Sequence, residues 1–168
     1  MGPFAVPDVD FGLGKLHHVG IVVPDSEAAV QHFEDLYGLP IRLLPESHYH
    51  CRIDGIAHST VQRLGLSIDG PPHVELLREI PETSVWQPHS GVHHLGFVVD
   101  DLAAASAALA RRGAPLWMGG LGDGRCPVGT AYHRDALGLT IELLDAETAA
   151  RLASRLDDAR RRTGPPAK

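Results

Sequence analysis

The feature that most constrains this chain is an internal repeat of a short, β-branched segment. Residues 17–29 read HHVGIVVPDSEAA and residues 93–105 read HHLGFVVDDLAAA, so eight of thirteen positions are identical at an offset of 76. A second pair follows in the same order, with HVELL at 73–77 and TIELL at 140–144. Two matched pairs in the same order predict a duplicated module, in which each copy cannot bury its apolar face alone.

Each copy of the repeat predicts the same order of secondary structure. The apolar segment HHVGIVV favours a strand, Asp25 or Ser26 can cap the helix that follows, and Gly38 can end it. Three further strands complete each module, so the predicted plan is βαβββ twice and the fold class is α+β. The predicted boundaries are an N-terminal extension at 1–14, module one at 15–80, module two at 91–145, and a C-terminal helix and tail at 146–168.

Composition narrows the class of partner. The chain of 168 residues is 43% hydrophobic, and this length fits one compact domain or two small, tightly fused modules. A formal net charge of -6 argues against nucleic acid and anionic membranes, because binding phosphates needs clustered Lys and Arg. No apolar run reaches about 20 residues, and the N-terminus lacks the basic start and apolar core of a signal peptide. We therefore predict a cytoplasmic protein with a small-molecule substrate and with no nucleic-acid or membrane partner.

Strand alternation separates two faces in each repeat. His18 and Gly20 share one face of HHVGIVV, whereas Val19 and Ile21 share the apolar face that should pack against a helix. The second repeat places His94 in the same way. Each module therefore presents one histidine on its open face, with a glycine nearby that leaves room for a ring.

A glutamate lies between aliphatic residues in the last strand of each module. Glu75 in HVELL and Glu142 in TIELL are costly at such positions unless they are solvated, paired or bound to a metal. If the modules pack as a pseudo-symmetric pair, two imidazoles and two carboxylates converge, a set that suits Zn, Ni, Co, Mn or Fe(II). We therefore predict that one divalent metal ion is bound by His18, Glu75, His94 and Glu142.

These motifs resemble the vicinal oxygen chelate superfamily, which includes glyoxalase I, methylmalonyl-CoA epimerase, extradiol dioxygenases, and fosfomycin and bleomycin resistance proteins. The resemblance covers roughly residues 15–145. It includes the stretch AYHRDALGLTIEL, in which Asp135 and Gly138 match the family's DPxG turn while Ala136 stands in place of Pro. The resemblance implies paired modules whose curved, mixed sheet forms a cup around the metal, the same four ligands, and a homodimer.

The superfamily hosts several reactions, so the fold does not choose among them. Two His and two Glu ligands resemble the glyoxalase I and epimerase branches, in which a metal-stabilised enediolate forms when a proton is abstracted next to a carbonyl. That resemblance predicts an isomerase, epimerase or lyase for a small 2-oxo or thioester substrate, with Glu142 as candidate base and Glu75 as its counterpart. The alternatives are an Fe(II) extradiol dioxygenase on two His and one Glu, a metal-free drug-binding resistance protein, and a fosfomycin-modifying transferase.

Four further polar residues are candidates for binding substrate. His73 shares the face of Glu75 by alternation, and Gln62 stands in STVQRLGL where a second base could lie. Tyr132 and Arg134 belong to a strand that should border the cup. The Gly-rich segment 118–129 is predicted to be a loop near the substrate.

Overall fold

The computed structural model describes residues 12–162, so most of the predicted N-terminal extension and the tail after residue 162 lie outside the described residues. This part of the chain forms ten strands and three helices. In chain order they are β1 (Leu16–Val23), α1 (Ser26–Tyr37), β2 (Ile41–Leu43), β3 (Ser47–Ile53), β4 (Ile56–Gln62), β5 (Leu64–Ser67), β6 (His73–Arg78), β7 (His94–Val99), α2 (Leu102–Arg111), β8 (Leu116–Gly120), β9 (Thr130–Arg134), β10 (Thr140–Asp145) and α3 (Ala146–Arg162).

All ten strands belong to one mixed sheet with the order β2-β5-β6-β1-β7-β10-β9-β8-β3-β4. The two repeat strands, β1 and β7, pair antiparallel at its centre, and each has a parallel neighbour, β6 and β10 respectively. The sheet curls into a half-barrel, with α1 and α2 outside it. The predicted α+β fold, a cup of curved mixed sheet with a C-terminal helix, is confirmed.

Module one departs from the predicted plan because its middle strands form one long, bent hairpin. At the base of the hairpin, Ile41 pairs with Ser67, whereas further along the hairpin Ser47 pairs with Gln62. One strand therefore carries an extra residue between these two points. An extra residue bends a strand and increases its twist. The far half of the hairpin thereby leaves module one, and β3 pairs with β8 of module two. Module one contributes six strands to the sheet instead of the four expected.

Local sequence determines where the first two helices begin. Asp25 caps α1 by accepting a hydrogen bond from the amide of Ala28, and Asp101 caps α2 by accepting one from Ala104, each at 2.9 Å. Gly38 ends α1 in the left-handed conformation at φ 61°. Helix α1 covers the apolar outer face of β1, as alternation predicted.

The C-terminal helix packs on its own chain. Leu152 and Leu156 of α3 lie against Leu44 and Leu66 of the hairpin region in one buried cluster. This contact lays α3 along one side of the cup, where Leu152 lines the cavity. Among residues 12–162, no helix is both long enough and apolar enough to cross a membrane.

The glycine-rich loop is shorter than predicted. Strand β8 continues through Gly120, so only residues 121–129 lie between β8 and β9. Gly120 fits there because a Cβ atom would stand 2.0 Å from the carbonyl oxygen of Val128. The turn before β10 is intact despite Ala136, since Asp135 Oδ1 accepts the amides of Leu137 and Leu139 at 2.9 Å.

Candidate metal centre

The four predicted ligands meet in the floor of the cup. Their donor atoms lie within 4.8 Å of one another, and all four residues are buried. His18 and His94 are fully buried, while Glu75 and Glu142 keep slight exposure to the cup. These four residues are called the His–Glu cluster below.

The strand register explains why the four side chains meet. The central antiparallel pair sets His18 opposite Gly96 and His94 opposite Gly20. The parallel neighbours then set Glu75 beside Gly20 and Glu142 beside Gly96. All four ligands therefore point from adjacent strands, β6, β1, β7 and β10, to one face of the sheet.

Each glycine makes room for the histidine of the other module. A Cβ atom on Gly20 would lie 1.9 Å from Cε1 of His94, and one on Gly96 would lie 2.1 Å from Cε1 of His18. The sequence prediction placed each glycine beside the histidine of its own strand. The structure shows that the space serves the ring across the module boundary, so both halves of the repeat are needed to shape one site.

The spacing of donor atoms fits a divalent ion. The two Nε2 atoms of His18 and His94 lie 3.0 Å apart, and Glu142 Oε2 lies 2.7 Å and 2.8 Å from them. Glu75 Oε2 lies 3.5 Å and 3.3 Å from the same two nitrogens. Neighbouring donors on an ion with bonds of about 2.1 Å stand roughly 3 Å apart, so this set could hold a metal ion.

The cluster is electrostatically suited to a cation. Burial alone lowers the pKa of His94, but the carboxylates of Glu142 and Glu75 outweigh it and raise that pKa to about 9. Burial raises the pKa of Glu142, yet His94 and His18 lower it well below its usual range. The Glu142 carboxylate therefore stays ionised in this buried site, where it attracts a positive charge.

The two glutamates are held differently. The hydroxyl of Thr130 donates to Glu142 Oε1 at 2.6 Å, while Oε2 of the same carboxylate faces the histidines. Glu75 faces the histidines through Oε2, and no described residue forms a hydrogen bond with its Oε1. Glu142 is thus fixed at both oxygens, and Glu75 keeps one oxygen free. Sequence reasoning missed Thr130, although it shares a face of β9 with Tyr132 by alternation.

A cavity of about 340 Å³ opens above the cluster. Its apolar wall includes Leu64, Leu77, Met118 and Leu144, and α3 contributes polar side chains at the rim. Such a mixture of apolar lining and a few converging polar groups is typical of small-molecule sites.

Two of the substrate-binding candidates line this cavity. Tyr132 is buried, and its ring packs on that of His94 with centroids 4.9 Å apart. Gln62 also borders the cup, but its amide is engaged with backbone, donating to Arg78 O and accepting from the Arg63 amide. Gln62 therefore secures the bend of the hairpin, whereas Tyr132 presents its ring to the cavity.

The other two candidates lie away from the cup. His73 bonds through Nδ1 to the carbonyl oxygen of Ser67 at 2.9 Å, and its ring stands beside His17. The guanidinium of Arg134 packs over the ring of Trp117, 3.4 Å from the centroid, and does not line the cavity. Strand alternation did not distinguish His73 and Arg134 from residues that line the cavity, and both sit at the ends of their strands.

Residues beyond the predicted set also border the cavity. Tyr49 lies on the far half of the hairpin, and Thr148, Arg151 and Arg155 project from α3. Burial, followed by the charge of Glu142, raises the pKa of Tyr49 well above its usual value, so its phenol stays protonated. The helical period of α3 predicts which face it buries, but no local signal in the sequence indicates that this face meets the cup.

Fold and site together define a cup-shaped protein with a four-residue candidate metal centre where the two repeat strands β1 and β7 pair. Residues 17–132 match the Glyoxalase/Bleomycin resistance protein/Dioxygenase superfamily, and the chain belongs to that family. The predicted membership of the vicinal oxygen chelate group is thereby confirmed.

Known relatives are similar at low identity. An ethylmalonyl-CoA/methylmalonyl-CoA epimerase from Cereibacter sphaeroides is 26% identical over 137 residues, which cover 78% of this chain and 97% of that protein. The structure of methylmalonyl-CoA epimerase from Mycobacterium tuberculosis matches with a TM-score of 0.51 at 23% identity, covering 80% of this chain and 91% of that one. The Streptomyces coelicolor methylmalonyl-CoA epimerase matches with a TM-score of 0.50 at 19% identity, covering 78% and 96%. At this level of identity, the two structural matches show a similar fold and nothing more specific.

Proposed function

We propose that this protein is a divalent-metal-dependent isomerase, and specifically an epimerase, that moves a proton next to the carbonyl of a small acyl thioester. The observation that carries the proposal is the convergence of two imidazoles and two carboxylates in the floor of an apolar cup. The similarity to an ethylmalonyl-CoA/methylmalonyl-CoA epimerase supports a thioester over a 2-oxo compound.

The His–Glu cluster would hold the metal through both histidine Nε2 atoms and one oxygen of each glutamate. When bound, a divalent ion supplies positive charge that stabilises the oxyanion developing on a substrate carbonyl. The protein keeps the two imidazoles in place by burying their rings against Gly20 and Gly96.

Proton transfer falls to the two carboxylates. Epimerisation requires removing a proton from one side of a carbon and returning one to the other, so two groups must flank the substrate. Glu75 and Glu142 come from strands β6 and β10, which lie on either side of the two histidine strands. The unpartnered Oε1 of Glu75 is free to take a proton, while the bond from Thr130 orients Glu142.

The walls of the cup favour an enolate-like intermediate. Leu64, Leu77 and Leu144 exclude water from the carbon that loses its proton, which strengthens electrostatic interactions there. Burial, followed by the charges of Glu142 and Glu75, raises the pKa of Tyr132 well above its usual value. Tyr132 and Tyr49 therefore remain hydrogen-bond donors and do not compete as bases.

The number of ligands disfavours the alternative functions. An extradiol dioxygenase uses two His and one carboxylate, so Glu75 would add a superfluous charge beside the iron. A metal-free drug-binding protein needs no converging ligands. A glyoxalase-type lyase shares the donor set, and the choice between it and an epimerase rests on the thioester relative. A homodimer and a cytoplasmic location stay predictions.

Solvent exchange tests the proposal directly. The protein, loaded in turn with Co, Ni, Mn or Zn, is incubated in deuterated water with methylmalonyl-CoA or ethylmalonyl-CoA, and the α-proton signal is followed by NMR. We expect deuterium to enter at the α-carbon, and chelator treatment to stop it. Absence of exchange with every metal and both thioesters would contradict the epimerase proposal, and oxygen uptake on catechols with Fe(II) would support the dioxygenase instead.

A further inference from the structure

A second groove adjoins the cup on the other side of the α3 contact. It has a volume of about 350 Å³, and four arginines line it. Arg42 belongs to β2, Arg63 follows β4, and Arg155 and Arg162 come from α3. Arg155 lines both the groove and the cup, so the two cavities are neighbours. The groove that these four arginines line is called the arginine groove below.

The charge of this groove is opposite to that of the whole chain. The protein carries a formal net charge of -6, yet the groove lining contains four guanidinium groups and one carboxylate, that of Asp158. Asp158 is itself paired with Arg161 outside the groove. Four like charges brought together repel each other, and this cost persists until a counter-charge binds.

The arginines are only partly compensated within the protein. Arg63 forms an ion pair with Glu27. Within residues 12–162, no carboxylate forms an ion pair with Arg42, Arg155 or Arg162. Among the described residues, the groove therefore keeps an excess of positive charge after these ion pairs are counted.

Partial burial makes this uncompensated positive charge more costly. The Nε atoms of Arg42 and Arg63 are buried without a hydrogen-bond partner, although buried donors are nearly always satisfied. Arg155 donates to the carbonyl oxygen of Pro45 at 2.8 Å, and burial lowers its pKa. Arg63 and Arg155 are thus held at the groove by Glu27 and by the Pro45 carbonyl, which reduces the ordering that a ligand would require.

We propose that the arginine groove is a binding site for a phosphorylated ligand. A planar guanidinium offers paired N–H donors that match phosphate oxygens, and several converging arginines suit a ligand with more than one phosphate charge. Two sources supply this chemistry: the phosphate-bearing tail of a thioester whose acyl group occupies the cup, or a separate phosphorylated metabolite. The first source rests on the proposed function; the second does not.

Titration with inorganic pyrophosphate tests the groove itself. Calorimetry is performed on the full chain at constant ionic strength, with Arg42→Gln, Arg155→Gln and Arg162→Gln as variants. Arg111→Gln is the control, because Arg111 carries the same charge on the exposed end of α2, away from the groove. We expect saturable binding that each groove variant weakens by about tenfold, since each removes a charge-assisted pair. Equal affinity in all variants, or no binding by the parent protein, overturns the proposal.

Two controls keep this test interpretable. Arg162 is exposed at the end of α3, so its replacement leaves the buried cluster intact even if the other substitutions disturb folding. Thermal unfolding with pyrophosphate, compared with chloride at equal ionic strength, gives a second readout. A ligand that binds only the native state raises the melting temperature, and the groove variants should lose this rise.

Kinetics then separate the two sources of phosphate. Deuterium exchange is measured with the CoA thioester and with the pantetheine thioester, which lacks phosphates. If the substrate tail occupies the groove, Arg162→Gln raises KM for the CoA thioester only. Pyrophosphate binding without this KM change assigns the site to a separate ligand. If neither thioester exchanges its proton, the proposed epimerase activity is contradicted. The pyrophosphate titration still tests whether the groove binds phosphate.

Discussion

The Nδ1 atoms of His93 and His94 lie 2.9 Å apart, and the carbonyl oxygen of Val85 determines which of them carries the proton. His93 Nε2 lies 2.7 Å from that oxygen, so it must be a donor. Burial, followed by the neighbouring His94, lowers the pKa of His93 to about 4, so the ring is neutral and its Nδ1 accepts a hydrogen bond from the Nδ1–H group of His94. His94 therefore turns Nε2 toward the candidate metal position.

Replacing His93 should weaken metal binding although it is not a ligand. His93→Phe removes the acceptor, and loss of such a supporting hydrogen bond costs about 10–100-fold in metal affinity. Competition with a chelating dye measures the dissociation constant, and the spectrum of bound Co(II) reports the geometry. His93→Gln restores an acceptor and should recover part of the affinity, while His50→Phe, at an exposed position, should change nothing. Unchanged affinity in His93→Phe rules out the supporting role.

Substituting either glycine of the central strand pair should disrupt the histidine of the opposite module. In Gly20→Ala the new Cβ overlaps the ring of His94, so the ring or the strand must move, at a cost of about 1–3 kcal/mol. Urea unfolding and metal titration should both report the damage. Gly122→Ala is the control, because its nearest neighbour would lie at an ordinary 3.4 Å. Equal effects in the two variants would mean that crowding at His94 is not the cause.

Glu75 and Glu142 should each be required for proton exchange with a different enantiomer of the substrate. If Glu75 and Glu142 act on opposite faces of the substrate carbon, each Glu→Gln variant loses exchange with one enantiomer and keeps it with the other. Loss of a positioned base typically costs about 10²–10⁴-fold in rate. NMR with the separate enantiomers in deuterated water measures this, alongside metal content. Equal loss with both enantiomers, with metal still bound, would falsify the two-base assignment.

The buried His133 should make the protein sensitive to mild acid. Burial lowers its pKa below the usual value of 6.5, although its bond to the carbonyl of Ala114 opposes this effect. The unfolded chain then binds the proton first, so the free energy of unfolding falls as pH drops below 6.5 toward the native pKa. One such group contributes at most about 1.4 kcal/mol per pH unit in that window.

Urea unfolding at several pH values, with His133→Gln for comparison, checks this contribution. The variant should lose less stability on acidification than the parent protein does, even if it is less stable at neutral pH. Ser106 donates to the His133 ring at 2.9 Å, so Ser106→Ala should lower stability without removing the pH dependence. Identical pH profiles for the parent protein and His133→Gln would assign the acid sensitivity to other groups.

Properties that depend on local periodicity were predictable from the chain alone. The repeat predicted two fused modules, and strand alternation placed His18, Glu75, His94 and Glu142 on open faces, where the structure brings all four together. The caps at Asp25 and Asp101 were also foreseeable, because a capping side chain acts within three residues of itself. Such signals lie close together in sequence, so no knowledge of distant contacts is needed to interpret them.

Only the tertiary structure decided how distant segments meet. The hairpin of module one pairs with β8, and α3 lies along one side of the cup. Arg134 packs on Trp117 instead of lining the cup. Each outcome depends on the bend at one extra residue or on packing between elements far apart in the chain. The His–Glu cluster illustrates both levels: alternation determined which face each ligand takes, but only the antiparallel pairing of β1 with β7 made each glycine the space for the other module's histidine.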